Sequence, residues 1–415
     1  MSTRVSASLL PRGFSYSAVA CDLKKAGLDL GLIATDRPAS AACVFTTNLV
    51  QAAPVLVSRE HLKKSRRKIL GVIVNSGNAN CAIGPEGLAA AIASTREVAH
   101  ALGRHDPSQI LVCSTGVIGV PLRVEKILRA IPKLIHSRAA TPVAFSQFSR
   151  AIMTTDTRPK WAAAHCLIGG KRIRVLGCCK GAGMIHPRMA TMLAFIATDA
   201  RVSPAILSRA LRQSVARTFN SISIDGDTST NDTVTLLANA ASGAPPIRSA
   251  GANYYKFLSA LESVCRSLAL QIVADGEGAR RVIEIEVRGA PSHRAAGQVA
   301  RAIATSPLVK TALAGADPNW GRIIAAAGRS GMRFDPARVE IRMAGILMCR
   351  RGRAVPFNER AAHRRLLAKH YRIQLYFRSR VPHPSRSDEG EAGSARVWTC
   401  DFTADYVKIN ASYRT

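Results

Sequence analysis

Two apolar runs, "KILGVIVNSGNAN" (68–80) and "QILVCSTGVIG" (109–119), each pass directly into a loop of Ser, Thr, Gly and Asn. Their shortness and β-branched content read as buried strands feeding loops. The first part of the chain alternates strand and helix, which implies helices layered on a sheet. Ser203 and Pro204 then read as an N-cap and first helical residue, and Leu207, Leu211, Val215 and Phe219 recur on one apolar helix face.

A second helix carries Phe257, Leu261, Val264, Leu268 and Ile272 on one stripe and stops at "ADGEG", where Gly276 and Gly278 supply the break. Ile283, Ile285 and Val287 follow in alternation with Glu284 and Glu286, the pattern of a half-exposed strand. A smaller α/β domain is therefore expected over 281–415, after a larger α/β core over 1–280. Two domains suit 415 residues, because one hydrophobic core rarely organises so long a chain. The stretch "RSRVPHPSRSDEGEAGSAR" (378–396) reads as an exposed loop.

Hydrophobic residues make up 47% and charged residues 20%, a globular composition rather than a disordered one. No apolar run approaches the ~18 residues of a membrane span. The formal charge of +31 invites a polyanion partner, but the basic residues, mostly Arg, run from end to end and aromatics are only 5%. Base stacking and groove reading need clustered features, so a solvated basic surface is expected, with no specific nucleic acid and no membrane. Ten scattered cysteines without a C-x-x-C, and histidines without ligand spacing, suggest neither a metal site nor a disulfide framework. A reducing, cytoplasmic setting fits, and the leader "MSTRVSASLLPRG" lacks the long apolar segment of a secretory signal.

The chemistry-bearing segments are "VNSGNAN" (74–80), "CSTGVIG" (113–119), "MTTDTRPK" (153–160), "CCKGAGMI" (178–185), "DGDTSTNDT" (225–233), "ADGEGA" (274–279) and "GADPNWGR" (315–322). Each alone also reads as a turn bonded to its own backbone. "DGDTSTNDT" lacks the closing Glu of a calcium loop, and "KGAG" has its Lys before the glycines, unlike a phosphate loop.

Together, and in this order, they resemble the ornithine acetyltransferase family, also called glutamate N-acetyltransferase, of arginine biosynthesis. The resemblance runs from "PRGFSYSAVACDLKK" to "YVKINASYRT" and includes "MATML" within "MIHPRMATMLAFIATDA" (184–200). It implies a layered α/β sandwich of the N-terminal-nucleophile type, related to self-processing aminopeptidases, with a smaller C-terminal α/β domain. It also implies self-cleavage between Ala190 and Thr191 into an α chain (1–190) and a β chain (191–415), assembled as two of each.

In that resemblance Thr191 is the nucleophile, and chemistry explains the choice. A hydroxyl can attack the preceding carbonyl to give an ester that water opens. The freed α-amine, with an ordinary pKa of ~7.7–8.0, can then act as base for its own Oγ. Thr115 and Gly116 match the oxyanion hole. Substrate-binding positions match Thr154, with Thr155 beside it as the alternative, Lys180, Thr191, Glu277, Asn410 and Thr415, and the terminal tail is implied to return to the site. Lys180 suits a carboxylate and Glu277 an ammonium.

The implied reaction moves acetyl from N-acetylornithine to glutamate through an acetyl-Thr191 intermediate, with no cofactor and no metal. Some family members also use acetyl-CoA as co-substrate, and the motifs are common to both kinds. The family pattern "KGSGMIAPNMATML" is replaced here by "KGAGMIHPRMATML", which places Ala182, His186 and Arg188 just before the scissile bond. Two other readings use the same residues: a self-processing aminopeptidase with water as acceptor, and a non-catalytic basic binding protein.

Overall fold

In the computed structural model, which describes residues 5–186, 192–378 and 393–412, the two apolar runs lie side by side as parallel strands. The chain forms two units. One comprises Met1–Asn220 and Asp227–Ile272, the other Ser221–Gly226 and Val273–Thr415. The division thus follows Ile272 rather than residue 280, so that "ADGEG" and its Glu277 belong to the second unit.

The first unit holds strands β1 (Phe14–Val19), β2 (Leu30–Phe45), β3 (Lys68–Asn78), β4 (Ile110–Val117), β5 (Lys160–Ile168), β6 (Lys171–Lys180) and β7 (Leu193–Thr198). After β8 (Ile222–Ser223), which belongs to the second unit, comes β9 (Thr233–Ala238). They make one mixed sheet in the order β4-β3-β2-β9-β7-β6-β5, with β1 added on β2. The parallel pairs are β3–β4 and β7–β9. Helices α1 (Ala53–Lys64), α2 (Pro85–Ala101), α3 (Val124–His136), α4 (Pro142–Ala151), α5 (Pro204–Arg217) and α6 (Ala252–Ala274) complete the unit.

The layering follows from side-chain alternation. Leu30 and Leu32 of β2 pack with Val98, Ile110, Ile127 and Ile131, the core beneath α2 and α3. Ile33 points the other way and joins Phe14, Tyr16, Phe145, Phe148 and Phe195; Phe148 and Phe195 meet edge to face at 5.4 Å. All six residues of β7 are buried. Leu193, Phe195 and Ala197 face that aromatic core, while Ile196 lies with Val264 and Leu268 of α6 over Gly177.

The stripe Phe257, Leu261, Val264, Leu268 and Ile272 is at most 1% exposed, and each such side chain contributes about 1.5–3 kcal/mol over leaving it in water. Among the described residues α6 is long and apolar enough to cross a membrane, but this stripe makes it a core helix. The other predicted helix is shorter than its pattern suggested. It ends at Arg217, and Phe219 is buried from a 3₁₀ turn instead.

The second unit contains β10 (Val282–Ala290), β11 (Val339–Met343), β12 (Ile346–Arg350), β13 (Arg353–Ala354), β14 (His370–Phe377) and β15 (Gly393–Cys400). Its helices are α7 (His293–Ala304), α8 (Pro307–Ala314), α9 (Trp320–Gly328), α10 (Glu359–Leu366) and α11 (Ala404–Ala411). The sheet order is β13-β12-β11-β14-β10-β15-β8. Ile283, Ile285 and Val287 pack with Ala296, Val299 and Ile303 of α7.

Two expectations change here. Glu286 is only 2% exposed, because Arg288, Arg372 and Arg396 reach its carboxylate and Gln374 donates to it at 2.8 Å. Of the expected loop 378–396, residues 379–392 lie outside the described residues, whereas Gly393–Arg396 opens β15, paired antiparallel with β10. There Ala395 and Val397 pack into the core, and that alternation sets the register.

Candidate active site

The ends of β3 and β4 are built for close backbone approach. Gly77 pairs with Gly116, and the register slips at Asn78. Gly116 has φ +136°, and a Cβ there would lie 2.3 Å from the Gly77 carbonyl carbon, so only glycine fits. The asparagines of "VNSGNAN" supply bonds that the broken ladder cannot. Asn75 donates to the Asn78 carbonyl at 2.9 Å and accepts from the Ser114 hydroxyl at 2.6 Å. Asn78 donates to the Val120 carbonyl at 3.0 Å, and Asn231, from "DGDTSTNDT", donates to the carbonyls of Ala79 and Ser114 at 2.6 and 2.9 Å. These two motifs are scaffold for the Thr115–Gly116 corner.

Thr115, 9% exposed, accepts from the Lys180 ammonium at 3.2 Å. An ammonium has only donors to offer, so this bond uses a lone pair of the Thr115 oxygen and not its hydroxyl hydrogen. Lys180 ends β6, where it pairs with Leu193 at the start of β7. Met192, next after Thr191 in the sequence, accepts from the Thr233 N–H at 3.0 Å, so the chain entering β7 is fixed to β6 and β9.

Asp156 joins two of the sequence-predicted loops. It accepts from the Thr154 N–H at 3.0 Å, the Gly181 N–H at 2.7 Å and the Lys160 ammonium at 2.6 Å. The side chains of Lys160 and Asp156 are both 0% exposed. Burial works against the Asp156 charge, but Lys180, Lys160 and the Gly181 N–H outweigh it and hold the carboxyl below its usual range. Thr154 and the residue after Lys180 therefore hang on one carboxylate.

A third lysine reaches the same place. Asp29, fully buried, accepts from the N–H groups of Cys21, Leu23 and Lys24 at 2.6, 2.7 and 3.0 Å. The turn so formed lays the Lys24 stem over Gly77, where a Cβ would come within 2.8 Å of Lys24 Cγ. Its ammonium donates to the Met153 carbonyl, next to Thr154, at 3.3 Å. Burial depresses its pKa against the pull of Asp29 and Asp156, and the Lys180 charge depresses it further.

In the second unit Glu277 and Asn410 meet, although 133 positions separate them. The Asn410 amide donates to the Glu277 carboxylate at 2.7 Å, and Glu277 is 7% exposed. The turn is pinned by Thr403, whose hydroxyl donates to the Gly278 carbonyl at 2.7 Å.

Of the residues expected from sequence, Thr115, Gly116, Thr154 and Lys180 converge in the first unit, and Glu277 pairs with Asn410 in the second. Ala190, Thr191 and Thr415 lie outside the described residues, as does Arg188. Of the other replacements, Ala182 is buried and His186 half-buried. Sequence reading missed Asp156, Lys160, Lys24 and Asp29. Asp156 and Lys160 sit within "MTTDTRPK" four positions apart, but nothing in that spacing separates a buried pair from a solvated one. Among the described residues no group of three or more His, Cys, Asp or Glu is placed to hold a metal ion.

Comparison with known proteins bears on the whole chain. The ArgJ family model matches residues 15–415. The arginine biosynthesis bifunctional protein ArgJ of Thermotoga neapolitana is 46% identical over 410 residues, covering 98% of this chain and all of that protein. Its counterpart in Symbiobacterium thermophilum is 44% identical over 408 residues, 98% of each chain. A crystal structure of the ArgJ protein of Bacillus halodurans is 38% identical, with a TM-score of 0.48 over 52% of this chain and 96% of that one. A family match over nearly the full length, with relatives this similar from end to end, means that the chain belongs to the ArgJ family of arginine biosynthesis.

Proposed function

We propose the following course for the chain's reaction. The chain is a glutamate N-acetyltransferase of arginine biosynthesis, moving acetyl from N-acetylornithine to glutamate. After self-cleavage between Ala190 and Thr191, the Thr191 amine takes the proton of its own Oγ as Oγ attacks the acetyl carbonyl of N-acetylornithine. The tetrahedral oxyanion is held by the Thr115 hydroxyl and the Gly116 N–H; such a donor is worth about 3–4 kcal/mol in the transition state. Ornithine leaves with the proton, and the amine of glutamate attacks acetyl-Thr191 through the same oxyanion geometry. By the family resemblance, Lys180 and Thr154 bind the substrate with Lys180 meeting a carboxylate, and Glu277, Asn410 and Thr415 are further substrate-binding residues, Glu277 suited to an ammonium.

The observation that carries this reading is the corner itself, where the hydroxyl of Thr115 receives the Lys180 ammonium beside a glycine that only a Cβ-free residue can replace. It needs no cofactor, and it uses acetyl-CoA as an alternative acetyl donor. The working enzyme is cytoplasmic, with two α and two β chains. The test is to supply N-acetylornithine and glutamate and to measure ornithine and N-acetylglutamate in equal amounts. Hydrolysis of N-acetylornithine that is indifferent to glutamate would count against transfer, and acetyl-CoA with glutamate tests the second donor separately.

A further inference from the structure

We infer that Lys24 is a specificity residue of this site, forming with Lys180 a two-ammonium subsite for an acceptor that carries two carboxylates. The inference rests on the proposed transfer reaction only in naming glutamate as that acceptor. Its physical basis is the placement of Lys24. The buried Asp29 carboxylate is consumed by three backbone N–H groups, and the turn it enforces aims the Lys24 stem across Gly77, the partner of Gly116. The Lys24 ammonium ends at the Met153 carbonyl, while the Lys180 ammonium ends at the Thr115 hydroxyl. Both charges therefore border the strip from Thr115–Gly116 to Thr154.

The carboxylates close to Lys24 do not serve it as ion-pair partners. Asp29 is occupied by backbone, Asp156 is committed to Lys160 and two N–H groups, and among the described residues Lys24 makes no salt bridge. A half-buried ammonium with one carbonyl acceptor has two N–H donors left for a ligand. Burial depresses the Lys24 pKa in spite of the pull of Asp29 and Asp156, and a directly bonded carboxylate would offset that cost. A donor such as N-acetylornithine brings one carboxylate and a cationic side chain, so a second lysine gives it nothing. Glutamate brings a second carboxylate, and a charge-assisted bond to it is the added recognition.

The experiment compares the wild type, Lys24→Met and Lys24→Arg in two measurements. Equilibrium binding of glutamate and of glutamine, which differ only in charge at the second carboxyl, reads the subsite. Release of ornithine from N-acetylornithine in the absence of glutamate reads the donor half of the reaction. Removing one charged hydrogen bond should lower the preference for glutamate over glutamine by about ten- to hundredfold. Lys24→Arg should retain most of the preference, and ornithine release, measured alongside, separates loss of the second-carboxylate contact from loss of the whole site. An unaltered preference in Lys24→Met overturns the assignment, as does equal loss of binding for both ligands, which would make Lys24 merely structural. If the wild type releases no ornithine yet shows a preference that Lys24→Met removes, the transfer reaction falls and the subsite stands.

Discussion

The buried pair of Asp156 and Lys160 offers the sharpest mechanical test of how the site is held. Asp156→Asn keeps the side-chain shape but removes the charge that faces Lys160 at 2.6 Å, with both side chains wholly buried. Breaking such a pair from one side costs about 3–5 kcal/mol, because the remaining charge stays out of water. For a unit of this size each kcal/mol lowers Tm by roughly 2–4 °C, so a fall of roughly 6–20 °C is expected. Lys160→Met should cost less, since Asp156 keeps the N–H groups of Thr154 and Gly181 and the nearby Lys180 charge. The double variant should lose less than the sum of the singles by about 1 kcal/mol or more. Thermal and urea unfolding of the four proteins supplies the cycle. Additive losses would refute the claim that the two charges stabilise one another.

Other consequences follow from single positions. Gly116→Ala forces a methyl to within 2.3 Å of the Gly77 backbone, and the resulting displacement of an oxyanion donor should lower kcat about 10²–10³-fold with a smaller change in KM; near-wild-type kcat would remove Gly116 from the mechanism. Glu286 is pulled down to about 2: burial alone would raise it, but bonds from Gln374, Arg288 and Arg396 win. Because its folded pKa is depressed, the unfolded chain binds more protons in acid. Stability from Glu286 is therefore full above the unfolded value of ~4.3 and lost as pH falls through about 2. Urea unfolding across that range should show the slope in the wild type and a flatter one in Glu286→Gln.

The parts of the fold that sequence made legible are those fixed by local periodicity. The strand-to-loop runs at 68–80 and 109–119 and the five-residue stripe of α6 each declare themselves through spacing of apolar residues, and the structure forms them. Glu286 was misjudged because alternation alone cannot tell a glutamate facing water from one under three arginines supplied by β10, β14 and β15. Arg372 and Arg396 lie 86 and 110 positions away. For the candidate site, motif order points to loops that the structure brings side by side. Thr115, Gly116, Thr154 and Lys180 come from ordered motifs, but Lys24 and Asp29 lie in "CDLKKAGLD", a segment with no pattern of its own. Only in the fold does β3 bring Gly77 beneath the Lys24 stem.

The central claim is that Thr191 becomes a free N-terminus and carries the acetyl group. Intact mass measurement of the purified protein, before and after N-acetylornithine is added, tests both at once. The predicted result is two chains split after Ala190, with the chain that begins at Thr191 gaining the mass of one acetyl group and losing it when glutamate follows. A single uncut chain, indistinguishable from Thr191→Ala and unchanged by N-acetylornithine, would contradict the account.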